Sequence, residues 1–234
     1  MPGSIAIFRL RSRAAFLATG LIALSLLSNV QNARAANGSV GEFYRSIVGD
    51  WVGTCEQSTD GVKADNKYFH ASVKQLSPSE FVTHFEYFKV DKATGKSVQI
   101  GESQVRTVVA PNGAATSVIT GKGTVLVNNK PKPQEHELTE TQTCTAVGSL
   151  EGAGTGKVKV GNMPLGLGKN GKVRESKTAW SLSNGVLAID QKLHVAFSAL
   201  IFSKSFTLEA HYTARRGTDV AGLMAHRVQV SALP

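Results

Sequence analysis

Apolar and polar residues alternate along much of this chain. Phe81, Thr83, Phe85 and Tyr87 fall on one side of a period-two pattern, with Val82, His84, Glu86 and Phe88 on the other. Phe206, Leu208, Ala210 and Tyr212 form a second apolar face against Ser205, Thr207, Glu209 and His211. Side chains of an extended backbone point to opposite faces in turn, so these runs predict half-buried strands. Turn formers separate them: Ser77-Pro78-Ser79, Lys92 to Gly95, Pro111-Asn112-Gly113, Asn128-Asn129 and Asn184-Gly185. The last pair is a hairpin signal, because a type I′ turn needs positive φ at both central residues.

The pattern predicts ten strands, near 47–56, 67–76, 80–90, 97–109, 116–127, 135–147, 172–182, 186–193, 203–213 and 224–232. It predicts one helix. Ser39 and Glu42 stand at the S-x-x-E spacing of a capping box ahead of Val40 to Ile47, and Gly41 limits that helix to about two turns. Residues 148–171 carry eight glycines in 24 positions, which predicts a long Gly-rich loop. Strands joined by short turns, without helices between them, describe a meander and not βαβ units. Closing such a meander removes its two exposed edges. The predicted fold class is therefore all-β: an antiparallel up-and-down barrel of about 8–10 strands with a short N-terminal helical turn. A β-sandwich is the alternative.

The first 35 residues depart from this pattern. Arg9, Arg11 and Arg13 precede an apolar run from Ala14 to Ser28, and Ala33-Arg34-Ala35 supplies a small-x-small cleavage pattern. That is the layout of a secretory signal peptide. Fifteen residues at 1.5 Å each fall short of a hydrocarbon core about 30 Å thick, which favours cleavage over anchoring. The expected organisation is a leader over 1–35 and a single β-barrel domain over 36–234, exported to a periplasm or secreted.

Export changes the reading of charge and of cysteine. The whole chain carries a formal net charge of +9, but four of its 26 basic residues lie in the leader, which has no acids. The exported part is left at about +5, with no block of like charge, so no nucleic-acid partner is expected. The two cysteines, Cys55 and Cys144, are expected to pair as a disulfide in an oxidising compartment.

Gly49-Asp50-Trp51 opens the first predicted strand just after the helical turn. A G-x-W in this position resembles the lipocalins and the wider calycin group. In that family the Trp closes one end of the barrel and a basic residue from the last strands packs across its ring. The resemblance implies such a part for Arg215, Arg216 or Arg227. It does not extend to a second lipocalin signature of the T-D-Y type, and no helical pattern is evident after the last strands.

Several chemistries find no support. Gly152 to Lys157 imitates a phosphate loop, but Glu151 stands where the first glycine belongs and Val158 follows the lysine. No G-x-S-x-G nucleophile elbow occurs. His70, His84 and Glu86 can approach one another across the hairpin around Pro78, a set able to hold zinc or, as His84 with Glu86, to move a proton. Surface histidines account for the same spacing, and no metal or cofactor is expected.

The aromatic residues point further. In a barrel of this size they line either a packed core or a cavity for one small apolar ligand. Trp51, Phe85, Trp180, Phe206 and Tyr212 are the expected ligand-lining residues, and a hydrophobic small molecule is the first candidate partner. A protein partner at the loop over 148–171 is the second. The uncharged run Val195 to Phe202, between Lys192 and Lys204, is expected to be buried and leaves a membrane-surface contact open.

Overall fold

The computed structural model describes residues 38–64, 66–91, 94–127, 130–161, 170–198 and 203–231. The leader assigned to 1–35 lies outside them. Helix α1 (Val40–Ile47) begins as its sequence predicts. Ser39 Oγ accepts the Glu42 N–H at 3.1 Å and Glu42 Oε2 accepts the Ser39 N–H at 2.7 Å, closing the capping box. Val40, Phe43, Tyr44 and Ile47 share one face of the helix, and all four are buried.

Among the described residues eleven strands follow: β1 (Gly49–Thr59), β2 (Val62–Lys63), β3 (Lys67–Ser77), β4 (Glu80–Val90), β5 (Ser97–Val109), β6 (Ala115–Val127), β7 (Lys130–Ala146), β8 (Ser149–Val160), β9 (Asn170–Ser183), β10 (Val186–Ser198) and β11 (Ser203–Arg216). Helix α2 (Val220–Ser231) ends the described chain. From β3 onward each strand pairs antiparallel with the next, and β1 pairs with β3. β11 returns to β1, from Trp51 opposite Arg216 to Thr59 opposite Leu208. The result is a closed ten-strand up-and-down barrel, with the two-residue β2 as a spur on β1. No edge is left along its wall, which settles the choice between barrel and sandwich. Asn184 and Gly185, at φ 51° and 75°, make the expected tight turn between β9 and β10.

The barrel's ten strands match the expected number only because two differences cancel. Half of the segment expected as a glycine-rich loop is β8, paired on both sides with β7 and β9, while residues 162–169 lie outside the described residues. A Cβ at Gly154 would collide with the Thr139 carbonyl, and one at Gly156 with that of Glu137. Glycine there permits close approach of two backbones rather than slack. The reverse error falls at 224–232, where a strand was expected and α2 is found. Asp219 caps that helix, its Oδ1 accepting the Gly222 N–H at 2.8 Å. The helix packs against β1 and β3.

The expected disulfide is also absent: Cys55 and Cys144 are both free. Cys55 sits on β1 and Cys144 on β7, five strands apart in either direction around the barrel. A bridge needs Cα atoms within about 7 Å, which opposite walls cannot provide. Of the run at 195–202, Val195, Ala196 and Phe197 are buried at the end of β10, and the remainder lies largely outside the described residues.

Candidate ligand site in the barrel lumen

One end of the barrel is closed by α1 and Trp51. The indole Nε1 donates to the Ile47 carbonyl at 2.7 Å, and the Arg216 guanidinium lies over the ring, 4.6 Å from its centroid. Arg216 also donates to the Val48 and Ser46 carbonyls, at 2.6 and 2.8 Å, at the C-terminal end of α1. Of the three arginines considered for this contact, Arg215 pairs instead with Val52 on the outer face, and the side chain of Arg227 lies outside the description. Gly49 has a physical reason as well. Its φ is 122°, and a Cβ there would stand 2.6 Å from Arg216 Nη1.

The aromatic residues expected to line a ligand site divide into three places. Phe85, Trp180 and Tyr212 come together, with ring centroids 6.4 Å apart from Phe85 to each of the other two. Phe69, Tyr87 and Tyr44 extend this cluster. Trp51 is occupied in closing the α1 end. Phe206 lies toward the opposite end, edge-on to Phe197 at 6.1 Å and with Lys204 above it.

The strand pattern missed how polar half of the lumen is. Thr83, Ser103, Thr107, Ser117, Glu140, Gln142, Ser176 and Thr178 are all buried on β4 to β9, alternating with outward residues. Ser117 and Thr107 hydroxyls pair at 2.8 Å, Thr107 donates to Tyr44 Oη at 3.1 Å, and Tyr44 donates to Gln142 Oε1 at 2.9 Å. This relay leaves the Gln142 amide nitrogen unpaired. Trp180 Nε1 and Thr83 Oγ1 are likewise buried without a partner. Gln142 and Trp180 both contact Tyr44, and Thr83 lies between Phe81 and Phe85 on β4. Two of the three unpaired groups, on Gln142 and Trp180, thus belong to side chains that meet at Tyr44. Period two could have located these inward hydroxyls, had Ser and Thr been scored as possible interior residues.

Three titratable groups complete the interior. Glu140 accepts from the Ser176 and Thr178 hydroxyls, yet burial still raises its carboxyl above the usual range. His136, two positions beyond Leu138 on the same face, is pushed down by burial. Lys67 faces inward beside Cys55, and burial lowers its ammonium pKa.

No protein-family model matches this chain, and no curated protein matches it. Function must be read from the site itself.

The two histidines of the set have different partners. His70 Nδ1 faces Glu86 Oε2 at 3.2 Å and its Nε2 faces Asp50 Oδ1 at 3.1 Å, while His84 lies opposite Ser72 and Gln104. Among the described residues no group of three or more His, Cys, Asp or Glu side chains could hold a metal. A separate open concavity of about 1100 Å³ lies outside the barrel across β7 to β11, β1 and β2. Its floor carries charge, with Lys192 2.8 Å from Glu209 and His211 2.6 Å from Asp190.

Proposed function

We propose that this chain is an exported, lipocalin-like barrel that holds a small amphipathic molecule in its lumen. The observation that carries this reading is the set of three inward polar groups, Gln142 Nε2, Trp180 Nε1 and Thr83 Oγ1, buried without a protein partner. Leaving a buried polar group unpaired costs about 1–3 kcal/mol, and an acceptor on a ligand removes that cost at two of the three. The aromatic wall of Phe85, Trp180 and Tyr212 supports an apolar body beside the polar group. The Arg216–Trp51 contact and the closed meander support the lipocalin-like assignment, and the leader pattern supports export.

The test is native mass spectrometry of the full chain purified from the exported fraction, before and after solvent extraction, then with decanoic acid and decan-1-ol. A 1:1 complex that weakens in Gln142→Ala is expected. A wild-type protein that forms no 1:1 complex in any of these conditions would overturn the reading. The same spectrum reports export, since a mature chain beginning at Ala36 is expected.

The charged outer concavity favours a second reading, an interaction module on a solid barrel. Under it, Lys177→Glu with Lys192→Glu abolishes capture of a partner from the exported fraction while the lumen stays inert to ligand. Unchanged capture would exclude it.

A further inference from the structure

Lys67 is an anomaly among the lysines. Lys122, Lys159, Lys177 and Lys192 each pair with a carboxylate on exposed surface. Lys67 shares the inward parity of Phe69, Ala71 and Val73 on β3, and all three of those are buried. Its cross-strand neighbour is Cys55, fully buried on β1, which in turn faces Tyr212 on β11. Among the described residues its recorded hydrogen-bond partner is the neutral Gln57 Oε1. Lys67 is half-buried, and of the three donors of its ammonium two remain.

The surroundings select the sign of what fills this place. Burial pushes the Cys55 thiol up to about 11 and the Tyr87 phenol up to about 12, and it raises Tyr212 well above its ordinary value. These groups stay neutral near pH 7 and supply no negative charge to the lysine. Glu140 is engaged elsewhere, its two carboxyl oxygens accepting from the Ser176 and Thr178 hydroxyls on β9. Beyond Lys67, toward the end away from α1, the inward residues Leu193, Phe206 and Leu208 are only partly buried against the core.

We propose that Lys67 is an anion subsite of the lumen, so that the ligand is an amphipathic acid. Its ionised head group lies against Lys67, and its apolar body runs along Leu193, Phe206 and Leu208. This inference rests on the lumen-binding reading above. A charge-assisted hydrogen bond to the ammonium favours the acid over its uncharged analogue of the same length.

Isothermal titration calorimetry of the mature protein with decanoic acid and decan-1-ol tests it at pH 7. The wild type is expected to bind the acid at least about 10-fold more tightly than the alcohol. Lys67→Met should lose most of that preference while holding the alcohol affinity within about 2-fold, and Lys67→Arg should keep it. Equal binding of acid and alcohol by the wild type overturns the subsite but leaves the lumen reading standing. A preference retained in Lys67→Met also overturns it. Binding of neither ligand overturns both. Should Lys67→Met fail to fold, the wild-type comparison and Lys67→Arg still decide.

Discussion

Arg216 packs over the Trp51 ring at 4.6 Å while its guanidinium donates to two carbonyls at the end of α1. One side chain therefore joins the last strand, the first strand and the helix that closes the barrel. The two residues are also direct cross-strand partners where β11 meets β1, so the contact sits on the seam that turns a sheet into a barrel.

Arg216→Ala should accordingly destabilise the protein by about 2 kcal/mol or more, from a cation–π contact worth about 0.5–2 kcal/mol and two charge-assisted hydrogen bonds. Arg216→Lys should recover only part, because an ammonium cannot reach both carbonyls and cover the indole together. Urea unfolding followed by tryptophan fluorescence measures both.

Gly49→Ala should cost about 1–3 kcal/mol, from strain at φ 122° and from the 2.6 Å approach of a new Cβ to Arg216 Nη1. The two sites are coupled. In the background of Arg216→Ala the penalty at position 49 should shrink, and a double-mutant cycle reads the difference.

How much of this was legible in the sequence differs from element to element. Regular alternation around Phe85 and Tyr212 located β4 and β11, and the Ser39–Glu42 spacing located α1 with its cap. β8 was not legible, since its glycines carry a loop signal unless the partner backbone is known. Gly154 is needed because Thr139 lies against it, a contact made by residues 15 positions away. α2 was hidden because Val228 and Val230 stand at the i, i+2 spacing of a strand face. The lumen aromatics were found by parity, but their grouping depends on how the strands close. Trp51 and Phe206 lie near opposite ends, and only Phe85, Trp180 and Tyr212 meet.

Substitution within β8 separates a strand from a loop. Gly154→Ala should cost well over 2 kcal/mol, because its Cβ would enter the backbone of β7. In a loop the same change would stay within about 0.5 kcal/mol. Thermal unfolding of the variant beside the wild type decides.

The free cysteines predict a labelling order. Denatured, unreduced protein should take up two equivalents of iodoacetamide. Folded protein should react first at Cys144, which is partly exposed, and slowly at Cys55, which is buried with its thiol pushed up to about 11. Intact mass without alkylation in the denatured state would instead reveal a bridge.

Glu140 gives a pH signature. Its folded carboxyl titrates above the unfolded value near 4.5, so the folded state holds the proton longer. Stability should fall as pH rises from about 4.5 through the raised folded value, where ionisation must occur inside the barrel. Glu140→Gln keeps an acceptor for Ser176 or Thr178 and removes the charge. It should be more stable than the wild type at pH 7, with a flatter profile across that window, as measured by urea unfolding at a series of pH values.

The central claim is that the lumen receives a ligand. Its most direct test is electron density inside the barrel of crystals grown with decanoic acid. The account predicts continuous density for one molecule inside the barrel, with its carboxylate within hydrogen-bond distance of Lys67 Nζ and its chain along Leu193, Phe206 and Leu208. A lumen holding only isolated waters between Gln142, Trp180 and Thr83, with the acid bound nowhere within it, would contradict the account.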